Sequence, residues 1–231
     1  MKRVLITGSN CGLGLEFVKQ LSSQHYHVIA TCRHPNNAKE LQQWSSHKKN
    51  VSIYTLDVTN DQHLATLTRE LGDLPIDWVI NNAGMFGAQG VTVGHIERDN
   101  FLQVFNTNCL SVLKVSDALL PNLRRSNDKL IVCISSRMGS IRDNQQGQSY
   151  AYRSSKAALN CAMRSFALDV ANEGIQVMLL HPGWVKTDLG GDNAPLDAKT
   201  SVTGLLKVII RHKDNSHAEV LRGYDDSIID W

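Results

Sequence analysis

The chain has 231 residues, 42% of them hydrophobic and 20% charged, with a formal net charge of +2. That length suits one α/β domain with a sizeable core, residues 1–231, and so small a charge gives no electrostatic case for nucleic acid or a membrane surface. No stretch approaches the roughly 20 apolar residues of a membrane span, and the apolar run in the opening MKRVLITG is too short for a signal-peptide core, so a cytoplasmic location is expected.

Short apolar runs alternate with amphipathic stretches. Val4–Ile6 reads as a first strand, and Gly14–Ser22 as a helix with Leu15, Val18 and Leu21 on one face. A second strand at Val28–Ala30, a short helix at Asn37–Trp44 and a third strand at Val51–Leu56 follow. Asp61–Leu71 is a helix capped by Asp61 or Asn60. Trp78–Ile80 is a fourth strand, and a long helix from Asp99 to Leu120 is stopped by Pro121. Leu130–Ile134 is a fifth strand; a second long helix covers Tyr150–Ala171, with Gly174 as its C-terminal cap. Val177–Leu180 is a sixth strand, the next helix begins near Ser201, and Val220–Leu221 suggests a seventh strand. Nearly continuous apolar strands alternating with helices predict a doubly wound α/β fold, with a parallel sheet of about seven strands covered on both faces.

The five cysteines are widely spaced and odd in number, which argues against disulfides and zinc and for a reducing compartment. No cluster of residues points to a metal.

The first strand runs straight into Thr7-Gly8-Ser9-Asn10-Cys11-Gly12-Leu13-Gly14. Glycines there permit a tight turn and let the backbone approach a pyrophosphate, which the N–H groups and positive dipole end of the next helix can hold. A strand before the loop and a helix after it are the context a dinucleotide site needs. At the end of the second strand, where an acidic residue would bind the ribose 2′-OH of NAD, stand Cys32 and Arg33. A guanidinium grips a 2′-phosphate through charge-assisted bonds, so NADP is expected ahead of NAD.

Tyr152 and Lys156 are spaced Y-x-x-x-K, which puts them on one face of a helix. A tyrosine titrates near 10; a neighbouring ammonium favours the phenolate and would lower that value, fitting Tyr152 to exchange a proton with a substrate oxygen. Tyr150 is a poorer choice, since Ser154 stands four residues on and cannot be the cation. The fifth strand ends in Ser135-Ser136, at the strand terminus that faces the ligand crevice in open α/β sheets.

These motifs together resemble the short-chain dehydrogenase/reductase family, in order and over nearly the whole chain. The resemblance carries T-G-x-x-x-G-x-G at Thr7–Gly14, Asp57 in Leu56-Asp57-Val58, N-N-A-G at Asn81–Gly84, the Ser136–Tyr152–Lys156 set and Pro182-Gly183. It implies that Asp57 and Val58 contact the adenine side, that Asn82 stabilises the central sheet, and that Ala83 and Gly84 line the cofactor. Ser136, with Ser135 as the near alternative, would bond a substrate carbonyl, and Lys156 would also hold the nicotinamide ribose. Asn108, with Asn106 as rival, would anchor a water in a proton relay. Pro182, Gly183, Val185 and Thr187 would border the nicotinamide, Thr187 through its carboxamide; His181 reads as structural.

Ile6–Leu15, His181–Gly191, Ala194–Asp197, Tyr224-Asp225 and Trp231 are similar to the sniffer-type carbonyl reductases and bacterial C-factor proteins of that family. This branch implies an NADPH-dependent reductase of ketones, aldehydes or quinones, and raises a signalling protein with incidental catalysis as the alternative. The family pairs its two long helices across subunits, so a homodimer or homotetramer is expected. The gap between Ser136 and Tyr152 is longer than the family's usual one. The polar stretch Arg142–Gln148 fills it and should shape the substrate mouth. Met85, Phe86, Met138 and Trp184 are candidate apolar walls, although Met85 and Phe86 could equally be core.

Overall fold

A computed structural model describes residues 1–231. In chain order it contains β1 (Arg3–Thr7), α1 (Gly12–Ser23), β2 (His27–Cys32), α2 (Lys39–Ser46), β3 (Val51–Thr55), α3 (Asp61–Leu71), β4 (Trp78–Asn81), α4 (Arg98–Phe105), α5 (Ser111–Ala118), α6 (Leu120–Arg124), β5 (Leu130–Ile134), α7 (Tyr150–Val170), β6 (Gln176–His181), α8 (Ala198–His212), β7 (His217–Gly223) and β8 (Ile228–Ile229). The strands form one sheet in the order β3-β2-β1-β4-β5-β6-β7-β8. All neighbours are parallel except β7 and β8. The sheet thus has eight strands where about seven are expected. The addition is the two-residue β8, with Ile228 mostly in solvent, which is too short to leave a pattern in the sequence.

Strand side chains alternate between two cores, as the pleat requires. Leu5, Ile29, Val79, Ile131 and Val177 face α3, α5 and α7. Val4, Ile6, Val28, Ile80, Val132 and Met178 face α1, α2 and α8. Because helices cover both faces, the middles of the central strands carry no polar position, which is why their apolar runs are continuous in the sequence.

The cap of α3 is Asn60, whose side-chain oxygen accepts from the N–H groups of Gln62 (2.9 Å) and His63 (3.2 Å). Asn60→Ala is expected to cost about 1 kcal/mol, read as a lower denaturation midpoint with unchanged slope.

The long helix expected at Asp99–Leu120 is divided. After α4 the backbone makes one π turn at Asn106–Leu110 before α5 begins. The physical reason is Asn108. Its side chain is drawn inward to bond Met85 and Ser155, and the turn takes an extra residue to allow it. Pro121 does not stop this helix. Leu119 has already left helical geometry (φ −97°, ψ 2°), and Pro121 lies in the first turn of α6, where its missing N–H costs nothing. α7 runs into a 3₁₀ turn at Ala171–Glu173, and Gly174 closes it in the left-handed region (φ 72°). α8 starts at Ala198, capped by Asp197. No helix is long and apolar enough to cross a membrane.

Candidate active site

The order of the sheet reverses between β1 and β4, and the C-terminal ends of these strands open the crevice where such folds bind ligands. The two ends are knitted together. Asn82 donates its amide N–H groups to the carbonyls of Thr7 (2.9 Å) and Gly8 (3.0 Å), and Thr7 Oγ1 accepts the N–H groups of Asn82 and Ala83 (both 3.0 Å). Gly14 packs so closely that a Cβ there would lie 2.0 Å from the Gly8 oxygen. Gly8 and Gly12 take the left-handed φ values of 67° and 53° that the turn needs.

The N-terminus of α1 is bare. Cys11 caps it without a side-chain bond, and no acidic residue stands in its first turn. Its N–H groups and dipole are left to an anion. Asn10 and Cys11 are exposed, and Leu13 is half-buried against the core. Burial pushes the Cys11 thiol up, aided by Asp188 and opposed by Arg33. The loop after β6 thus reaches α1, where Thr187 Cγ2 would be 3.2 Å from a Cβ on Gly12.

Arg33 projects into solvent directly after β2. Its charge is felt at both Cys11, on the glycine loop, and Asp57, just after β3. Burial alone would raise the Asp57 carboxyl. Bonds from the Thr59 hydroxyl and N–H, with Arg33 and His63, hold it below its ordinary value. Val58 packs against the core. A bare helix N-terminus, glycines that cannot carry a side chain and a cation on the adenosine side fit a phosphorylated dinucleotide.

The reactive groups converge at the ends of β5 and α7. Ser135 and Ser136 part company. Ser135 donates to Asn160 Oδ1 (2.6 Å) inside the core, while Ser136 caps the turn Arg137–Gly139 by accepting from Met138 N–H (3.1 Å) and lies close enough to the Tyr152 phenol to affect its titration. Ser136, Tyr152 and Lys156 are 7%, 7% and 5% exposed, so all three are shielded from bulk water. Lys156 Nζ donates to Ile134 O (2.8 Å) and lies 5.9 Å from the Tyr152 ring centre. Phe86 stacks on that ring, with centres 4.7 Å apart.

The titration of Tyr152 differs from the expected depression. Burial raises it, and Ser136 only partly opposes the rise. Burial also brings Lys156 down, to about 8. The Lys156 ammonium, 5.9 Å from the ring centre, does not offset the burial of Tyr152. At neutral pH the phenol is therefore protonated.

Asn108 is fully buried, with Oδ1 accepting from Met85 N–H (2.9 Å) and Nδ2 donating to Met85 O (2.8 Å) and Ser155 Oγ (3.0 Å). Both amide N–H groups are committed, so the side chain fastens the turn after β4 to α7. Gly84 sits beside it: a Cβ there would be 3.3 Å from Asn108 Oδ1 and 3.7 Å from Lys156 Nζ. Ser155, the partner of Asn108, has no mark of its own in the sequence, although it stands inside Y-x-x-x-K.

The loop after β6 is folded on itself. Val185 is buried and paired with Leu196. Pro182 O accepts from Ser201 Oγ (2.6 Å), and Thr187 Oγ1 accepts from Gly190 N–H (3.1 Å). Gly183 (φ 84°) faces Tyr224, another residue whose neighbours in the sequence give no sign of the contact; a Cβ would be 3.0 Å from its ring. Trp184 is exposed, with its indole N–H on Gly190 O (2.7 Å). An apolar slot beside the phenol is lined by Phe86, Val91, Ile96, Phe101 and Tyr150. The segment Arg142–Gln148 is an exposed loop whose Arg142 N–H donates to Trp231 O (3.1 Å).

The family described as short chain dehydrogenase matches residues 2–196. The C-signal protein of Myxococcus xanthus is 46% identical over 135 residues, covering 58% of this chain and 81% of that protein. The structure of the carbonyl reductase Sniffer of D. melanogaster superposes with a TM-score of 0.90 at 33% identity, covering all of both chains. The NADPH-bound carbonyl reductase from chicken fatty liver gives 0.89 at 34%, over 100% of this chain and 99% of that one. This chain belongs to the short-chain dehydrogenase/reductase family of oxidoreductases, with sniffer-type carbonyl reductases and C-signal among its near relatives.

Proposed function

We propose that the chain is an NADPH-dependent carbonyl reductase in which residues 1–231 act as one unit carrying both cofactor and substrate sites. The observation that carries this reading is the shielded Ser136–Tyr152–Lys156 set with a protonated phenol next to an apolar slot. Bound NADPH supplies the hydride. Ser136 Oγ bonds the carbonyl oxygen and orients it, and Tyr152 gives that oxygen its proton as the alcohol forms. Lys156, whose ammonium lies 5.9 Å from the ring centre, is the cation nearest the phenolate left behind and steadies it until it regains a proton. Phe86, stacked on the phenol, keeps water from that side of the reacting oxygen of a ketone, aldehyde or quinone.

The glycine loop and the first turn of α1 hold the phosphates, and Asp57, Val58, Ala83 and Gly84 border the dinucleotide. Pro182, Gly183, Val185 and Thr187 border its nicotinamide end. Arg33 grips the 2′-phosphate. Arg33→Ala is expected to weaken NADPH binding roughly 10- to 100-fold while leaving NADH within about two-fold, read by nicotinamide fluorescence. Equal loss of both cofactors would sink the phosphate role of Arg33.

A second reading is favoured by the 46% identity to C-signal. In it the chain is a signalling protein that keeps its dinucleotide and for which turnover is incidental.

A further inference from the structure

His181 ends β6, immediately before Pro182-Gly183, and its side chain has a definite task. Its Nδ1 accepts the N–H of Arg137 at 3.2 Å. A backbone N–H can only donate, so Nδ1 is bare and the ring proton sits on Nε2. Arg137 directly follows Ser136 and opens the turn Arg137–Gly139 that Ser136 caps. That turn cannot slide, because Gly139 presses on α7: a Cβ there would be 2.8 Å from the carbonyl carbon of Lys156. The main chain of His181 is held too, its carbonyl accepting from Tyr224 N–H at 2.9 Å.

We infer that His181 is a positioning residue for the active site, fixing through its Nδ1–Arg137 bond the turn that aims Ser136 at the substrate carbonyl. The inference rests on the reading of Ser136 and Tyr152 given above. It assigns no proton transfer to His181, whose ring acts only as an acceptor. A protonated ring would present N–H to N–H and break the bond. The charged groups facing the ring are Arg137, from the turn after β5, and Asp225, from the turn between β7 and β8. Burial first, then Arg137, brings His181 down to about 4, with Asp225 opposing, so the ring stays neutral over the working range.

The sign of the linkage follows. Below the ordinary histidine value of 6.5, the unfolded chain takes up a proton that the folded chain refuses until about 4. His181 therefore contributes stability that is full above 6.5 and is lost as pH falls between these two values.

The test compares His181→Asn, His181→Gln and His181→Leu with Ser136→Ala, using NADPH and 4-nitrobenzaldehyde as the carbonyl probe. Asn places Oδ1 where Nδ1 stood, whereas the Gln oxygen falls near the Nε2 position. The expected result is a kcat about ten-fold or more lower in the Leu and Gln variants, with NADPH affinity within about two-fold of the wild type, and recovery to within about three-fold in the Asn variant. All three His181 variants should also lose part of the fall in melting temperature between pH 6.5 and pH 4. Wild-type turnover in His181→Leu, or Asn no better than Gln, would overturn the inference while Ser136→Ala is inactive. Full turnover in Ser136→Ala would instead overturn the active-site reading beneath it. If the Leu variant does not fold, the Asn and Gln pair decides.

Discussion

Turnover of a carbonyl substrate is expected to fall by roughly 10²- to 10⁴-fold in Tyr152→Phe, the size of effect a positioned general acid contributes. The substitution is selective. Phenylalanine keeps the ring that stacks on Phe86 and fills the same buried space, so the fold and the slot should survive. Only the hydroxyl beside Ser136 is lost. Steady-state kcat with NADPH as hydride donor reads the chemistry, and nicotinamide fluorescence shows whether the cofactor still binds, with an expected change within about two-fold. A variant that binds NADPH but keeps wild-type turnover would remove Tyr152 from the reaction. The same variant separates the enzyme from the signal. If the biological effect disappears along with turnover, the chemistry is the function; if the effect persists without turnover, the likeness to C-signal describes the role better.

The phenol also shows where reading the sequence reaches its limit. Y-x-x-x-K spacing places Tyr152 and Lys156 on one helical face, and α7 does so. The spacing carries no information about burial. That depends on Phe86, which arrives from the turn after β4, some 66 positions earlier in the chain. The spacing suggests a Tyr152 lowered by the ammonium, whereas burial raises it and only Ser136 opposes the rise. The strands were legible for the opposite reason. Helices on both faces leave the middle of β1, β4 and β5 no polar position, and a short unbroken apolar run bounded by turn residues is the mark of a strand buried on both sides.

What stayed hidden was set by single tertiary bonds. The π turn at Asn106–Leu110 exists because Asn108 reaches Met85 and Ser155, and nothing in the local pattern of Phe105–Ser111 departs from an ordinary helix. Ser135 and Ser136 are equivalent by composition and position. Tertiary bonds part them: Asn160, on α7, takes the first into the core, and Met138 N–H holds the second at the turn. The bond from Arg137 to His181 is of the same kind, a contact across 44 positions with no local mark.

Gly14→Ala is the expected change with the largest effect on the folded state itself. The new methyl would lie 2.0 Å from the Gly8 carbonyl oxygen and 2.6 Å from Asn82 Nδ2. Neither neighbour can give way cheaply. The first is backbone, and the second holds the Thr7 and Gly8 carbonyls. Relief requires α1 to lift from β1, so a cost of about 3 kcal/mol is expected, at the upper end for overpacking. In a domain of this size that corresponds to a fall in melting temperature of roughly 6–12 °C. The lift also moves the α1 N-terminus away from the glycine loop, so NADPH affinity should fall alongside stability. Gly90→Ala supplies the control. Gly90 has a left-handed φ (69°), but nothing lies within 4 Å of its missing Cβ. It should lose only the backbone strain of about 1 kcal/mol, with NADPH binding unchanged. Equal losses in the two variants would mean that close packing adds nothing at Gly14, where no left-handed φ is found to account for a cost. A Gly14→Ala protein as stable as the wild type and still binding NADPH would mean that the glycine loop is not the close helix–strand junction the dinucleotide site requires.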